Sequence, residues 1–355
     1  MKLAQALPFL YAAAIAGVVW LCAPEVSEAR AWHALRQMTN TTDRYQRQYT
    51  KAWKIVRDNY WDRSRLNDWD RWQHAYDGRL HSRAEVKSAI REMLASLHDD
   101  YTYLLGDDDM AARERECHEH SCVTANMIAK NIGYIQIANL KADDVAMEFK
   151  RAMKRLSNAS VFILDLRDNH GGFIDIADSL FAMLAERGTF FLYQGRHDGA
   201  PDDVQRALTD DGWKVARNGK VAKQKRLPDL SGGKPIIVLV NQDTRSAAEL
   251  LAGALRDNKR ATLVGTRTFG KGVLQDSYEI ADGVEMKVVT AGYFLPAGDS
   301  INNRGLVPDV VIDDSGVTGE DLQLRKALAI AEETVRQTAS RQSAVAAAGD
   351  DKSHM

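Results

Sequence analysis

The chain has almost no net charge with which to hold a polyanion. Its 355 residues carry 47 basic and 49 acidic side chains, a formal charge of −2, and no Lys/Arg block interrupts them. A phosphate backbone is gripped by a surplus of Lys and Arg, so nucleic acid is not an expected partner. Internal repeats are absent, which excludes solenoid and propeller arrays. Cysteine is scarce, at three residues. Cys22 sits inside an apolar run, and Leu21 before it suits a lipidation site poorly. Set the N-terminus aside, and the composition is that of an ordinary soluble protein, long enough for one large domain with accessory pieces or for two ordinary ones.

Charge is also missing locally. Leu3 to Pro24 contains no charged residue, and the run Ala6 to Cys22, seventeen residues, is nearly all apolar. That length is at the short limit for a membrane span and a little long for the core of a signal peptide. Ser27-Glu28-Ala29 offers a small-x-small cleavage site. A removed signal peptide is the favoured reading, an uncleaved anchor with membrane association the alternative. Either one expects an exported, periplasmic or otherwise extracytoplasmic body. The other two cysteines lie in Cys117-His118-Glu119-His120-Ser121-Cys122. Two His and two Cys this close could bind a metal, but six adjacent residues do not easily wrap four ligands around one ion. In an exported protein a short Cys117–Cys122 disulfide across a hairpin is expected instead.

Along the chain, residues 30 to 41 are polar and read as a tether. Tyr45, Tyr49, Trp53, Val56 and Tyr60 have the spacing of one buried helical face. Trp69 and Trp72 belong to a short helix or loop packed on it, a cluster that reads as core and not as a binding cage. Ser82-Arg83-Ala84-Glu85 is a capping box ahead of a second helix. From Asn131 the pattern alternates: a strand (131–137), a helix (143–156), a buried strand (161–166), and a turn Arg167-Asp168-Asn169-His170-Gly171-Gly172 into a further helix. Residues 193–233 are weakly patterned and read as a surface insertion, with a hairpin as one form it could take. An amphipathic helix runs from Glu320 to Gln337. Strand–helix alternation points to an α/β fold with a parallel sheet.

The stretch Lys234 to Gln275 organises the rest. A buried strand (Pro235 to Val240) enters a polar turn (Asn241 to Arg245), Ser246 opens a helix, and a second strand (Ala261 to Val264) leads to Lys271, which is 25 residues beyond Ser246 and flanked by glycines. Helix starts carry unpaired N–H groups and the positive end of the dipole, both favourable to a developing anion. Taken alone, Ser246 reads as a helix cap and Lys271 as a surface charge. Gly265 to Lys271 matches most of a phosphate-binding loop, G-x-x-x-x-G-K-[ST], but Gly272 stands where the hydroxyl belongs and Val273 to Ile280 reads as a strand, not a helix.

Together the segments Asn241…Ser246-Ala247-Ala248-Glu249 and Thr266-Arg267-Thr268-Phe269-Gly270-Lys271-Gly272-Val273-Leu274-Gln275 resemble those of the C-terminal processing (tail-specific) serine protease family. The family's Asp-Leu-Arg-x-Asn-Pro-Gly-Gly pattern is similar to Asp165 to Gly172, with His170 where proline is usual. The resemblance covers roughly residues 45–335 and implies a β/α-spiral core of the crotonase and Clp type behind an N-terminal helical segment. Stretches 284–290 and 292–298 resemble the family's closing strands. Together with the apolar start and the Ala/Ser/Asp-rich end, the resemblance divides the chain into a leader or anchor (1–29), the helical segment (30–105), an α/β protease core (106–317), a helix (318–337) and a disordered tail (338–355).

By resemblance, Ser246 is the nucleophile, Lys271 its base and Gln275 the residue that orients the lysine. The N–H of Ala247 and that of Gly171 or Gly172 form the oxyanion hole. Lysine is a base near neutrality only if burial lowers its pKa, and Phe269, Val273 and Leu274 supply an apolar setting. A Ser246–His170 pair is the less favoured alternative. Only 27 residues separate Tyr103 from Asn131, too few for the PDZ module that most members carry there. Protein or peptide substrates are expected, with no cofactor or metal. A catalytically silent peptide- or ligand-binding protein on the same fold is the alternative, and a ligase or hydratase lacks a visible cofactor signature.

Overall fold

A computed structural model describes residues 28–106, 122–313 and 319–350. The apolar leader and Cys117 therefore lie outside the described residues. No helix among the described residues is long and apolar enough to cross a membrane. The chain divides into two compact units.

The first unit takes the N-terminal helix as far as Arg57, Asp62–Leu104 and Tyr278–Met286. Helix α1 (Glu28–Asn59) includes the stretch 30–41, so the expected tether is helical. Polar residues do not interrupt a helix; they only remove the apolar stripe by which it is recognised. Tyr49, Trp53 and Val56 bury one face of α1. The indoles of Trp53 and Trp69 each donate to the other's backbone carbonyl at 3.1 Å, and the Tyr49 hydroxyl donates to Trp72 O at 2.7 Å. The tryptophans thus seal two 3-10 turns, Arg63–Leu66 and Trp69–Trp72, onto the helix. Helix α2 (Arg83–Ala95) starts with Ser82 Oγ accepting from Glu85 N (3.2 Å), while the Glu85 carboxylate accepts from His81 N (2.7 Å). Strand β1 (Tyr103–Leu104) closes this part of the chain.

The second unit is α/β. The strands and helices after β1, of which Tyr278–Met286 belongs to the first unit, run β2 (Val123–Ala129), β3 (Ile132–Ile137), α3 (Val145–Arg155), β4 (Val161–Asp165), α4 (Ile174–Leu184), β5 (Gly188–His197), β6 (Ala200–Thr209), β7 (Gly212–Arg217), β8 (Lys220–Gln224), β9 (Ile236–Val240), α5 (Ala247–Asp257), β10 (Ala261–Gly265), β11 (Val273–Ala281), β12 (Val284–Phe294), β13 (Val310–Val311) and α6 (Leu322–Asp350). One sheet has the order β13-β10-β9-β4-β3-β2 and is parallel except for the β2–β3 pair. Every residue of β4 and β9 is buried. Phe162, Leu164, Ile236 and Val238 pack with α3, α4 and α5 on one face, and Val161, Ile163, Ile237 and Leu239 meet Ala327 and Ala331 of α6 on the other. Coverage on both faces is why these strands read as unbroken apolar runs.

The other sheet is an antiparallel meander from β5 to β8, joined to β12 through Ala291–Phe294. Residues 193–233 are thus mostly sheet, and the hairpin that was one expected form is extended to consecutive antiparallel pairs. Val204, Leu208 and Trp213 are the meander's buried apolar residues beyond β5, with Trp213 lying 6.1 Å from Phe190 ring to ring. The two closing strands expected at 284–298 are one strand, β12. The tail expected to be disordered from 338 continues α6 to Asp350, in keeping with the helix propensity of its alanines.

Phe162 is 2% exposed in the core of the parallel sheet. Its replacement by alanine is expected to cost ~3–5 kcal/mol, read as a lower urea midpoint with unchanged slope.

Candidate active site

The carboxyl ends of β4 and β9 face the same way because the strands are adjacent and parallel, and in open α/β sheets this is where ligands bind. The turns that leave them are tied together. Asn241 Nδ2 donates to Asp168 Oδ1 (2.8 Å) and Asn241 Oδ1 accepts from Asp168 N (3.0 Å). Thr244 Oγ1 donates to Leu166 O (2.8 Å), and Arg245 N to Asn169 O (2.9 Å). Asn169 is fully buried; it donates to Ile137 O and accepts from Gly171 N, both at 2.8 Å. Gly171, at φ 80°, lies so close that a Cβ would stand 2.7 Å from Arg245 O and 3.0 Å from both Ala247 N and Ser246 Cβ. Only glycine fits there.

Ser246 precedes the first turn of α5 at φ 53°, ψ −121°. A side chain other than glycine at positive φ carries strain of ~1–3 kcal/mol and persists only where the surroundings enforce it. Here the enforcing group is Glu249, a carboxylate without solvent exposure. Its Oε2 accepts from Ser246 N (2.9 Å) and from Lys271 N (2.9 Å). Its Oε1 accepts from Gly270 N (2.8 Å) and from Thr268 Oγ1 (2.5 Å). One oxygen therefore fixes the backbones of Ser246 and Lys271 side by side. Burial pushes the Glu249 carboxyl up from its ordinary value, and these four donors pull it back.

The Lys271 loop is shaped from its other side too. Gly270, at φ 93°, leaves room for the chain at Arg304 and Gly305, whose amides a Cβ would approach to 2.9 and 2.7 Å. The Lys271 side chain is mostly buried, and Nζ donates to Gln275 Oε1 at 2.6 Å. Burial holds this amine below the ordinary lysine value, and the positive charges of Lys287 and Arg245 push in the same direction. The Tyr293 hydroxyl donates to Lys271 O.

Of the residues singled out in the sequence, Ser246, Ala247, Gly171, Lys271 and Gln275 meet in this region. Ala247 N–H makes no bond among the described residues, as expected of a first-turn amide, and neither does Gly172 N–H; Gly171 N–H is already committed to Asn169. His170 is exposed and makes no bond to Ser246. Cys122 lies at the start of β2, its Sγ 3.6 Å from Asn139 Oδ1; Cys117 is outside the described residues, so the expected disulfide is as well. Glu249 and Asn169 were visible only as motif positions. Their local bonds, to Gly171 N and Ser246 N, follow from the sequence spacing, but those to Ile137 and to the Lys271 loop are distant in sequence and nothing local announces them.

Comparisons with known proteins bear on the family and the fold. The model of a family described as "Peptidase family S41" matches residues 131–312, just over half of the chain. The chain is similar to the carboxyl-terminal-processing protease of Synechocystis sp., with 35% identity over 186 residues, 52% of this chain and 38% of that protein. It is also similar to the carboxy-terminal-processing protease of Bartonella bacilliformis, with 33% identity over 188 residues, 52% of this chain and 39% of that protein. The chain thus spans about two fifths of the length of these curated relatives. The solved photosystem II D1 C-terminal processing protease superposes with a TM-score of 0.61 at 22% identity, covering 79% of this chain and 96% of that one, which establishes likeness of fold.

Two outcomes follow from the site's electrostatics. Competitive acylation of the Lys271 amine across pH is expected to show a midpoint below the ordinary lysine value of about 10.4, moving upward in Lys287→Gln as a repelling charge is removed; a midpoint at or above that value would contradict the burial. Glu249→Gln, which turns a donor toward donors, is expected to cost ~1–3 kcal/mol, measured by thermal or urea unfolding.

Proposed function

Because the chain belongs to peptidase family S41, we propose that it is a serine endopeptidase working through a Ser246–Lys271–Gln275 centre on protein or peptide substrates. The observation that carries this reading is the convergence of Ser246 N and Lys271 N on one Glu249 oxygen, with a buried lysine amine bonded to a neutral amide. A serine hydroxyl needs a base to become a nucleophile. An uncharged Lys271 Nζ donates one hydrogen to Gln275 Oε1 and keeps its lone pair for the Ser246 hydroxyl.

In the first step Ser246 Oγ attacks the scissile carbonyl carbon and its proton passes to Lys271 Nζ. The carbonyl oxygen becomes an oxyanion, and the N–H groups of Ala247 and Gly172, both otherwise unengaged, are its proposed donors. Losing one such donor typically lowers turnover ~10²–10³-fold. Lys271 then returns its proton to the leaving amine as the C–N bond breaks, leaving an ester on Ser246. Water, losing a proton to the neutral lysine, attacks that ester, and Lys271 passes the proton to Ser246 Oγ as the C–O bond breaks, restoring the hydroxyl and the free amine. The positive dipole end of α5 favours the same oxyanion.

Two finer proposals accompany this one. The short Tyr103–Asn131 interval supports substrate selection in the core itself, without a PDZ module at that position. The uncharged run from Leu3 to Pro24 supports export, with membrane association through that segment if it is retained.

The test is cleavage of an unfolded protein and a mixed peptide library, with cut sites mapped by mass spectrometry. Wild type is expected to cut, and Ser246→Ala and Lys271→Ala each to lose turnover by ~10⁴-fold or more with unfolding transitions unchanged. A fully active Lys271→Ala would overturn the base assignment; an inactive wild type would favour a silent binding protein.

A further inference from the structure

Arg245 stands immediately before the nucleophile, and the proton transfers leave it without a task. Its guanidinium lies over the ring of Phe269, 4.2 Å from the centroid. Phe269 is 44% exposed beside Lys271, a large apolar face that adds little to the core where it stands. Among the described residues the guanidinium has one bonded nitrogen, Nη2, to Asp243 Oδ1 at 2.5 Å. Nε is shut off from solvent with no acceptor, and an unpaired shielded donor is both costly and rare. The Arg245 and Asp243 side chains are 33% and 35% exposed, so the pair borders open space next to Ser246. The charges that act on Lys271, those of Lys287 and Arg245, are both positive.

We propose that Arg245, braced on Phe269, selects substrates by taking a peptide carboxylate close to the scissile bond, through the terminal Nη hydrogens that Asp243 leaves unused. The carboxylate is an acidic side chain or the terminus of the peptide itself; the chemistry is shared. A planar, permanently charged guanidinium stacked on an aromatic ring suits this task in a way a lysine does not. The inference rests on the peptidase reading above and adds its substrate class.

Binding tests it without turnover. Short alanine-based peptides are prepared as matched pairs, with Glu against Gln at each position and with a free acid against an amide at the C-terminus. Their affinities are measured by fluorescence anisotropy on the Ser246→Ala protein. One carboxylate member is expected to bind ~10-fold more tightly than its neutral twin, and the responding pair identifies side chain or terminus. In the Ser246→Ala/Arg245→Gln and Ser246→Ala/Arg245→Lys proteins that ratio is expected to fall to within about twofold. Equal affinities across all pairs, no binding at all, or a ratio that survives both Arg245 changes would overturn the proposal. Failure of the peptidase reading shows separately, as absence of cuts by wild type.

Discussion

A single buried carboxylate holds the site together. Glu249 reaches back from the first turn of α5 to the amide of Ser246 and across to three groups of the Lys271 loop. These segments are far apart in sequence, and no strand pairing joins the serine to the lysine. Without that acceptor, Ser246 would have little reason to keep its positive φ, and the lysine loop would present bare amides to a dry interior. A carboxylate that satisfies four donors is well placed to repay its desolvation.

The same burial serves chemistry. Removing water from the Lys271 amine disfavours its charged form, and the neighbouring cations Lys287 and Arg245 add to the effect. Gln275 accepts from the amine without supplying the negative charge that would restore its proton affinity. A carboxylate in its place would stabilise the ammonium and work against the base. On the other side of the serine, Asn169 and Gly171 bring the β4 turn against the β9 turn, leaving the Ala247 amide open at the start of the helix. In the proposed mechanism, activation and oxyanion binding are built from two strand ends and one loop.

Much of this was legible in the chain, for identifiable reasons. Strands β4 and β9 announce themselves because both faces are covered, which leaves unbroken apolar runs. Ser246, Lys271 and Gln275 stood out through segments that resemble a known family, not through periodicity. What stayed hidden depends on tertiary contact. The meander β5–β8 buries few apolar residues beyond β5, such as Leu208 and Trp213, too sparse a signal to separate sheet from loop. The polar half of α1 lacks a stripe altogether. Glu249 looks like half of a capping box, and only the fold shows that its second oxygen belongs to a loop some twenty residues away. The Arg245–Phe269 stack is likewise invisible until the two loops meet.

The central claim is that an uncharged amine at Lys271 draws the proton from Ser246. It is tested most directly by the pH dependence of covalent labelling with a serine-directed fluorophosphonate, the modified residue being identified by mass spectrometry. The expected result is a single adduct on Ser246, formed at a rate that rises through one ionisation below the ordinary lysine value of about 10.4 and then levels off. An adduct elsewhere, or a rate still climbing through that value, would contradict the account.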